Sequence, residues 1–356
     1  MNKYTKRLLG IAFFLAVFLL TLYSIFKDQS LSSLISTFKN VDPLYLVIGS
    51  IMMILFIYCD ALKLKITLHA LNQKTSIIKT MGYAFIGFYF NAITPSSSGG
   101  QVAQVYYMNK DDINVSHSSL TLLVTTIVYQ VTIIFYAILM YCTNYLFVSE
   151  NLSELNWVLY TSLVLNILVV GCLISLMFSK KFIRTLFFGL INLLCKIRLI
   201  KDQYRAKSKV LNLLDEYNQS ANYIKKHPKV VLRVFFVTFV QLTILFMIPY
   251  LVYRSFSLSD HTSFQIITMQ SLLTLAITVL PLPGGMGASE NAFLIMFRLF
   301  YTSSLLIPAM LISRFISFYG LLFVSGIVTV IVHFLGANKK VKLSCNKISK
   351  KDLGRH

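Results

Sequence analysis

Apolar residues in this chain run rather than alternate. Uninterrupted stretches at about 8–26, 44–62, 119–142, 157–179, 231–253 and 303–335 each approach the roughly 20 residues that carry an α-helix across a bilayer. An outer-membrane barrel would show a two-residue period, and Leu8–Phe26 has none. That first stretch follows Lys3, Lys6 and Arg7 like a signal sequence, but no small-x-small cleavage site follows it, so it is expected to stay as the first span. Two further apolar segments, about 77–100 and 264–300, are interrupted by Gly, Pro and uncharged polar residues. The pattern predicts an all-α polytopic membrane protein with about six full spans and two broken ones.

The first break reads Asn91-Ala-Ile-Thr-Pro-Ser-Ser-Ser-Gly-Gly-Gln101. Pro95 has no N–H and leaves the Asn91 carbonyl without its helical donor. Ser96–Ser98 can satisfy backbone groups locally, and Gly99-Gly100 is expected to allow positive φ. The second break is Pro281-Leu-Pro-Gly-Gly-Met-Gly287, in which Pro281 and Pro283 free two more carbonyls and Gly284, Gly285 and Gly287 loosen the backbone. Unpaired backbone cannot face lipid, so such breaks survive only in protein or against a wet cavity. New helices are expected near Gln101 and near Ala288, with Ser289 as an N-cap, and the N–H groups at their starts would suit an anion such as a lipid phosphate. A dinucleotide fingerprint is excluded, because the glycines lack GxGxxG spacing and no strand precedes them.

Charge then sets the topology. Charged residues make up only 13% of the 356, against 56% hydrophobic, and mean hydropathy is +0.70. Net charge is +20, which in another chain would suggest nucleic acid. Here 28 of the 33 Lys and Arg fall on one side if both termini are cytoplasmic, as the positive-inside rule requires. The cations then face anionic lipid headgroups, and nucleic acid is excluded. The count holds only if each broken segment returns to its own side. The two are therefore read as re-entrant hairpins of opposite orientation, an inverted repeat with a binding site between the halves. The whole chain, 1–356, is one transmembrane domain. Its basic loop 180–230 carries a polar stripe at Thr185, Gly189, Asn192 and Lys196, read as an interfacial helix over 182–200 with a ninth span as the alternative. A basic cytoplasmic tail follows at 339–356.

Glu290, Arg298 and Arg314 fall within the hydrophobic layer by this layout, and intramembrane charges default to function. Glu290 and Arg298 are too far apart along a helix to pair, which leaves Glu290 with Arg314, either as a structural pair or as headgroup ligands. Asp60, near Lys63, reads as a solvated boundary charge. Tyr89 and Tyr129 are further candidates for a cavity wall. His69, His117, His227 and His261 are placed in loops without ligand spacing. Cys59, Cys142, Cys172, Cys195 and Cys345 are scattered and read as apolar fillers, so neither a metal nor another cofactor is expected. No GxSxG, HExxH, P-loop or DxD pattern is present.

TPSSSGGQ (Thr94–Gln101) with Tyr106-Tyr107-Met108, PLPGGMGASE (Pro281–Glu290) and the late Arg314 resemble the flippase-like transmembrane family. That family includes the membrane half of the bacterial multiple peptide resistance factor, a lysylphosphatidylglycerol synthase and flippase. The resemblance implies a bacterial plasma-membrane protein that moves an anionic or aminoacylated phospholipid between leaflets. Its site would comprise Asn91, Thr94, Pro95, Ser98, Gly99, Gly100 and Gln101 from the first motif. Pro281, Pro283, Gly284, Gly285, Gly287, Ser289 and Glu290 would come from the second, with Arg298 and Arg314 beyond it. Gln101 stands where many relatives have Glu, so that position supplies no charge. The synthase name implies phosphatidylglycerol lysyltransferase activity as the alternative, and a non-transporting scaffold is a third reading. The transferase needs a soluble domain, and the 18 residues Lys339–His356 are too short to be one. Whether the chain forms a homo-oligomer or works with a separate synthase is left open by the sequence.

Overall fold

A computed structural model describes residues 41–94, 99–178, 217, 219–280, 285 and 287–334. The expected first span at 8–26, the interfacial helix at 182–200 and the basic tail lie outside these residues, as do Pro95, Ser98, Pro281, Pro283 and Gly284. The described residues form helices α1 (Pro43–Ala70), α2 (Ile77–Ile93), α3 (Gly99–Lys110), α4 (Val115–Thr143), α5 (Tyr145–Asn151), α6 (Asn156–Phe178), α7 (Pro228–Ser255), α8 (Ser263–Thr278), α9 (Ala288–Met296) and α10 (Ser303–Arg314). After α10 the chain makes a π-helical turn, Phe315–Tyr319, and stays helical, so 303–334 acts as one long rod.

Five helices in the described residues are long and apolar enough to cross a membrane: Pro43–Ala70, Val115–Thr143, Ser153–Phe178, Pro228–Ser255 and Ser303–Phe334. The protein is a multi-pass membrane protein. Local sequence starts several helices. Asp42 caps α1, accepting from the Leu44 N–H at 2.9 Å with Pro43 in the first turn. Thr262 and Gln265 form a reciprocal capping box on α8. Helices α1 and α7 lie antiparallel. The Asp42 N–H donates to the Ser255 carbonyl at 3.0 Å, and the Gln241 side chain donates to the Phe56 carbonyl at 3.1 Å.

The two broken segments fold back on themselves. In the first, the Tyr83 hydroxyl near the start of α2 donates to Asp111 just past α3 at 2.6 Å, and Lys79 lies 3.5 Å from the same carboxylate. Both limbs therefore begin and end together, at the end of α1 marked by Ala70. In the second, His261 before α8 meets the Phe300 ring at 4.8 Å, and Tyr301 packs on Tyr253 near the end of α7. That base sits at the other end of α1, since Asp42 is bonded to Ser255. The hairpins thus enter from opposite ends of a helix of 28 residues, about 42 Å long at 1.5 Å per residue.

A cavity between two hairpin tips

The first tip is tied by its own side chains. Thr94 donates to the Phe90 carbonyl at 2.6 Å and accepts from the Gly99 N–H at 3.0 Å. The Asn91 carboxamide oxygen accepts from the Gly100 N–H at 3.0 Å, and Gln104 donates to the Tyr83 carbonyl at 3.0 Å. Gly99 and Gly100 are helical, so they serve close packing and not the positive φ that the sequence suggested. A Cβ on Gly100 would fall on the Gly87 carbonyl and the Asn91 carboxamide, and one on Gly99 would fall on Thr94.

The second tip does use the left-handed region, at Gly285 (φ 66°) and Gly287 (φ 84°). Gly287, not Ser289, is the N-cap of α9. Glu290 reaches back from the first turn. One carboxylate oxygen accepts from the Gly287 N–H at 2.7 Å and the Ser289 hydroxyl at 3.1 Å. Its other oxygen takes the Arg314 Nε at 2.7 Å, and the Tyr319 hydroxyl also bonds the carboxylate. Glu290 is only 2% exposed. Its carboxylate is occupied by its own hairpin and the last span, the geometry of the structural-pair alternative. The N–H groups of Gly99, Gly100 and Gly287 are likewise taken, so these three do not wait for a phosphate.

Between the tips lies a cavity of about 540 Å³, within the roughly 300–1,000 Å³ of small-molecule sites. Asn91 and Gln101 face it from the first hairpin, Gly285 and Ser289 from the second, and Arg314 from the last span. Gln101 also donates to Thr126 at 3.0 Å. Thr94, Glu290 and Tyr89 are not part of its wall, while Tyr129 is. Arg298 is exposed in the turn after α9 and does not join the others.

Sequence reasoning misplaced one charged pair, reading it as a solvated boundary. Lys63 and Asp60 line the cavity 2.9 Å apart, with side chains 3% and 32% exposed, and the ammonium sits 5.2 Å from the centre of the Tyr129 ring. The expected span ended at 62, but α1 runs on to Ala70, which puts both charges two turns inside the helix. His69 and His117 also lie in helices and not in loops. A carboxylate, an ammonium, a guanidinium and several carboxamides thus surround one interior of about 540 Å³ between membrane helices, an arrangement suited to a polar group with both signs of charge.

The family model described as the lysylphosphatidylglycerol synthase TM region matches residues 7–325. The chain belongs to that family. No individually curated protein matches the chain. Membership relates this membrane protein to the synthesis or transport of lysylphosphatidylglycerol, and both matched tips fall inside the family region.

Proposed function

We propose that this member of the lysylphosphatidylglycerol synthase TM family is a lipid flippase, which passes an anionic or aminoacylated phospholipid between leaflets through the cavity between its hairpins. The observation that carries the reading is the cavity itself. It lies between two broken helices that enter from opposite ends of α1, and it holds Asp60 and Arg314 in the same interior. Charged groups inside a membrane protein are costly and are kept where a polar cargo needs them. In this reading Arg314, oriented by Glu290, faces the phosphate, and Asp60, oriented by Lys63, faces the ammonium of an aminoacyl headgroup. The acyl chains stay in the bilayer. In this reading both termini lie in the cytoplasm of a bacterial cell, which the positive-inside count supports, and the first hairpin opens from the cytoplasmic leaflet.

The test is reconstitution of the full chain into vesicles with fluorescent lysylphosphatidylglycerol and an impermeant quencher outside. Symmetrically labelled vesicles lose about half their fluorescence at once, and a flippase exposes the inner half with time. A slow phase no faster than in protein-free vesicles would overturn the proposal.

A further inference from the structure

The two hairpins are held in different ways. In the first, the tip is closed between its own limbs, from Gly100 to Asn91 and from Gln104 to Tyr83, while Gln101 and Tyr107 bond outward to Thr126 and His333. In the second, the bonds run outward. Helix α9 is tied to Arg314 through Glu290, and α8 is tied to two asparagines of the neighbouring helices. Asn144 donates to Thr268 in the second turn of α8 at 2.6 Å. Asn166, in the middle of α6, donates to the Leu275 carbonyl at 3.0 Å.

The second bond is made at a position where the helix cannot supply its own. Leu275 lies in the last turn of α8; its regular donor would be the N–H of the cap residue Val279, which points to the Ile277 carbonyl instead. In a membrane interior such a carbonyl needs a partner from elsewhere. Asn166 is fully buried and its carboxamide is saturated. The nitrogen donates to Leu275 and to the Ser162 carbonyl at 2.8 Å, and the oxygen accepts from the Gln130 side chain. Two carbonyls on the nitrogen side fix which way the carboxamide points. Gln130, itself buried in α4, touches Asn166 from behind. While Leu275 faces α6, its neighbours Thr274, Ile277, Thr278 and Leu280 face the cavity.

We propose that Asn166, backed by Gln130, is a positioning residue for the second hairpin. It holds the end of α8 and thereby sets the wall that α8 gives to the cavity. The role rests on the transport reading for its purpose, but the placement of α8 is measurable without any lipid being moved.

The experiment places a single cysteine at Leu280, which is 46% exposed and lines the cavity, in a chain whose native cysteines are replaced by serine. A second single cysteine at Ser153 serves as the remote control. Maleimide labelling rates are measured on purified full-length protein in detergent. Asn166→Leu is expected to change the rate at 280 about tenfold, the factor that corresponds to about 1.4 kcal/mol of lost restraint, and to leave the rate at 153 unchanged. Gln130→Leu should change it about threefold, and should add nothing in the Asn166→Leu background, because it acts only through Asn166. An unchanged rate at 280 in either folded variant overturns the proposal, as does an equal change at 153. If Asn166→Leu does not purify as a single species, the Gln130→Leu rate decides. In vesicles the variants should slow lipid movement. A parent protein that moves no lipid removes the flippase reading, while the labelling rates still decide the role of Asn166.

Discussion

Replacing Glu290 by Gln keeps the shape of the side chain and removes only its charge. Were the carboxylate a headgroup ligand, the variant would fold normally and lose transport. The structure argues for a different outcome. The carboxylate is 2% exposed and bonded to the Gly287 N–H, the Ser289 hydroxyl and Arg314. Removing one member of a buried ion pair costs about 3–5 kcal/mol, mostly because the remaining charge is stranded. The Arg314 side chain is 16% exposed at the cavity wall, so water there softens the penalty and about 3 kcal/mol is the better figure. For a chain of this size each kcal/mol lowers the melting temperature by about 2 °C, which predicts a fall of about 6 °C. The assay is thermal unfolding of the detergent-solubilised protein followed by fluorescence-detected size exclusion. The double variant Glu290→Gln, Arg314→Gln strands no charge and should melt above Glu290→Gln alone. A Glu290→Gln protein that melts within about 1 °C of the parent would refute the anchoring argument and return the carboxylate to the cargo.

The cavity's other pair should behave asymmetrically: Asp60→Asn leaves Lys63 stranded at 3% exposure and should cost about 3 kcal/mol, whereas Lys63→Met leaves Asp60 facing the cavity and should cost less, read by the same melting assay. Gly100→Ala drives a methyl group into the Gly87 carbonyl and the Asn91 carboxamide and should destabilise by about 1–3 kcal/mol. Gly171→Ala, whose Cβ would meet nothing within 4 Å, should be neutral or stabilise α6 by up to about 1 kcal/mol. For topology, single cysteines in a cysteine-free chain should be labelled from outside at Ser153 and only after permeabilisation at Ser208 and Ser344; external labelling at Ser208 would overturn the orientation.

The five spans within the described residues and the two breaks were legible because lipid imposes a strict code: long apolar runs cross, and Gly-Pro clusters within them must be sheltered. Even the return of each hairpin followed from counting cations. The site was less legible, for reasons that particular residues show. Asp60 and Lys63 looked like the edge of a span because a charge ends an apolar run in sequence, though α1 continues through them. Gly99 and Gly100 looked like a turn, but their purpose depends on Gly87 and Asn91 across the hairpin, which spacing along the chain does not reveal. Gln130 and Asn166 are single uncharged polar residues within apolar runs. That was a readable signal, since each needs a partner in the membrane, but the partners lie 36 and 109 residues away.

The differing bonds of the two hairpins also bear on how the protein is made. The tip of the first hairpin is fastened between its own limbs, so it can close before Thr126 arrives to meet Gln101. The second emerges when Asn144 and Asn166 are already inserted, and α8 can dock at once. Glu290, however, follows before its partner exists: Arg314 lies 24 residues further on. During that interval the carboxylate has only the Gly287 N–H and the Ser289 hydroxyl to meet it. Arrival of the last span supplies the guanidinium. The final helix therefore does more than complete the bundle; it locks the second hairpin in place by completing a charge pair, and a chain truncated before Arg314 would leave that hairpin inserted but unlocked.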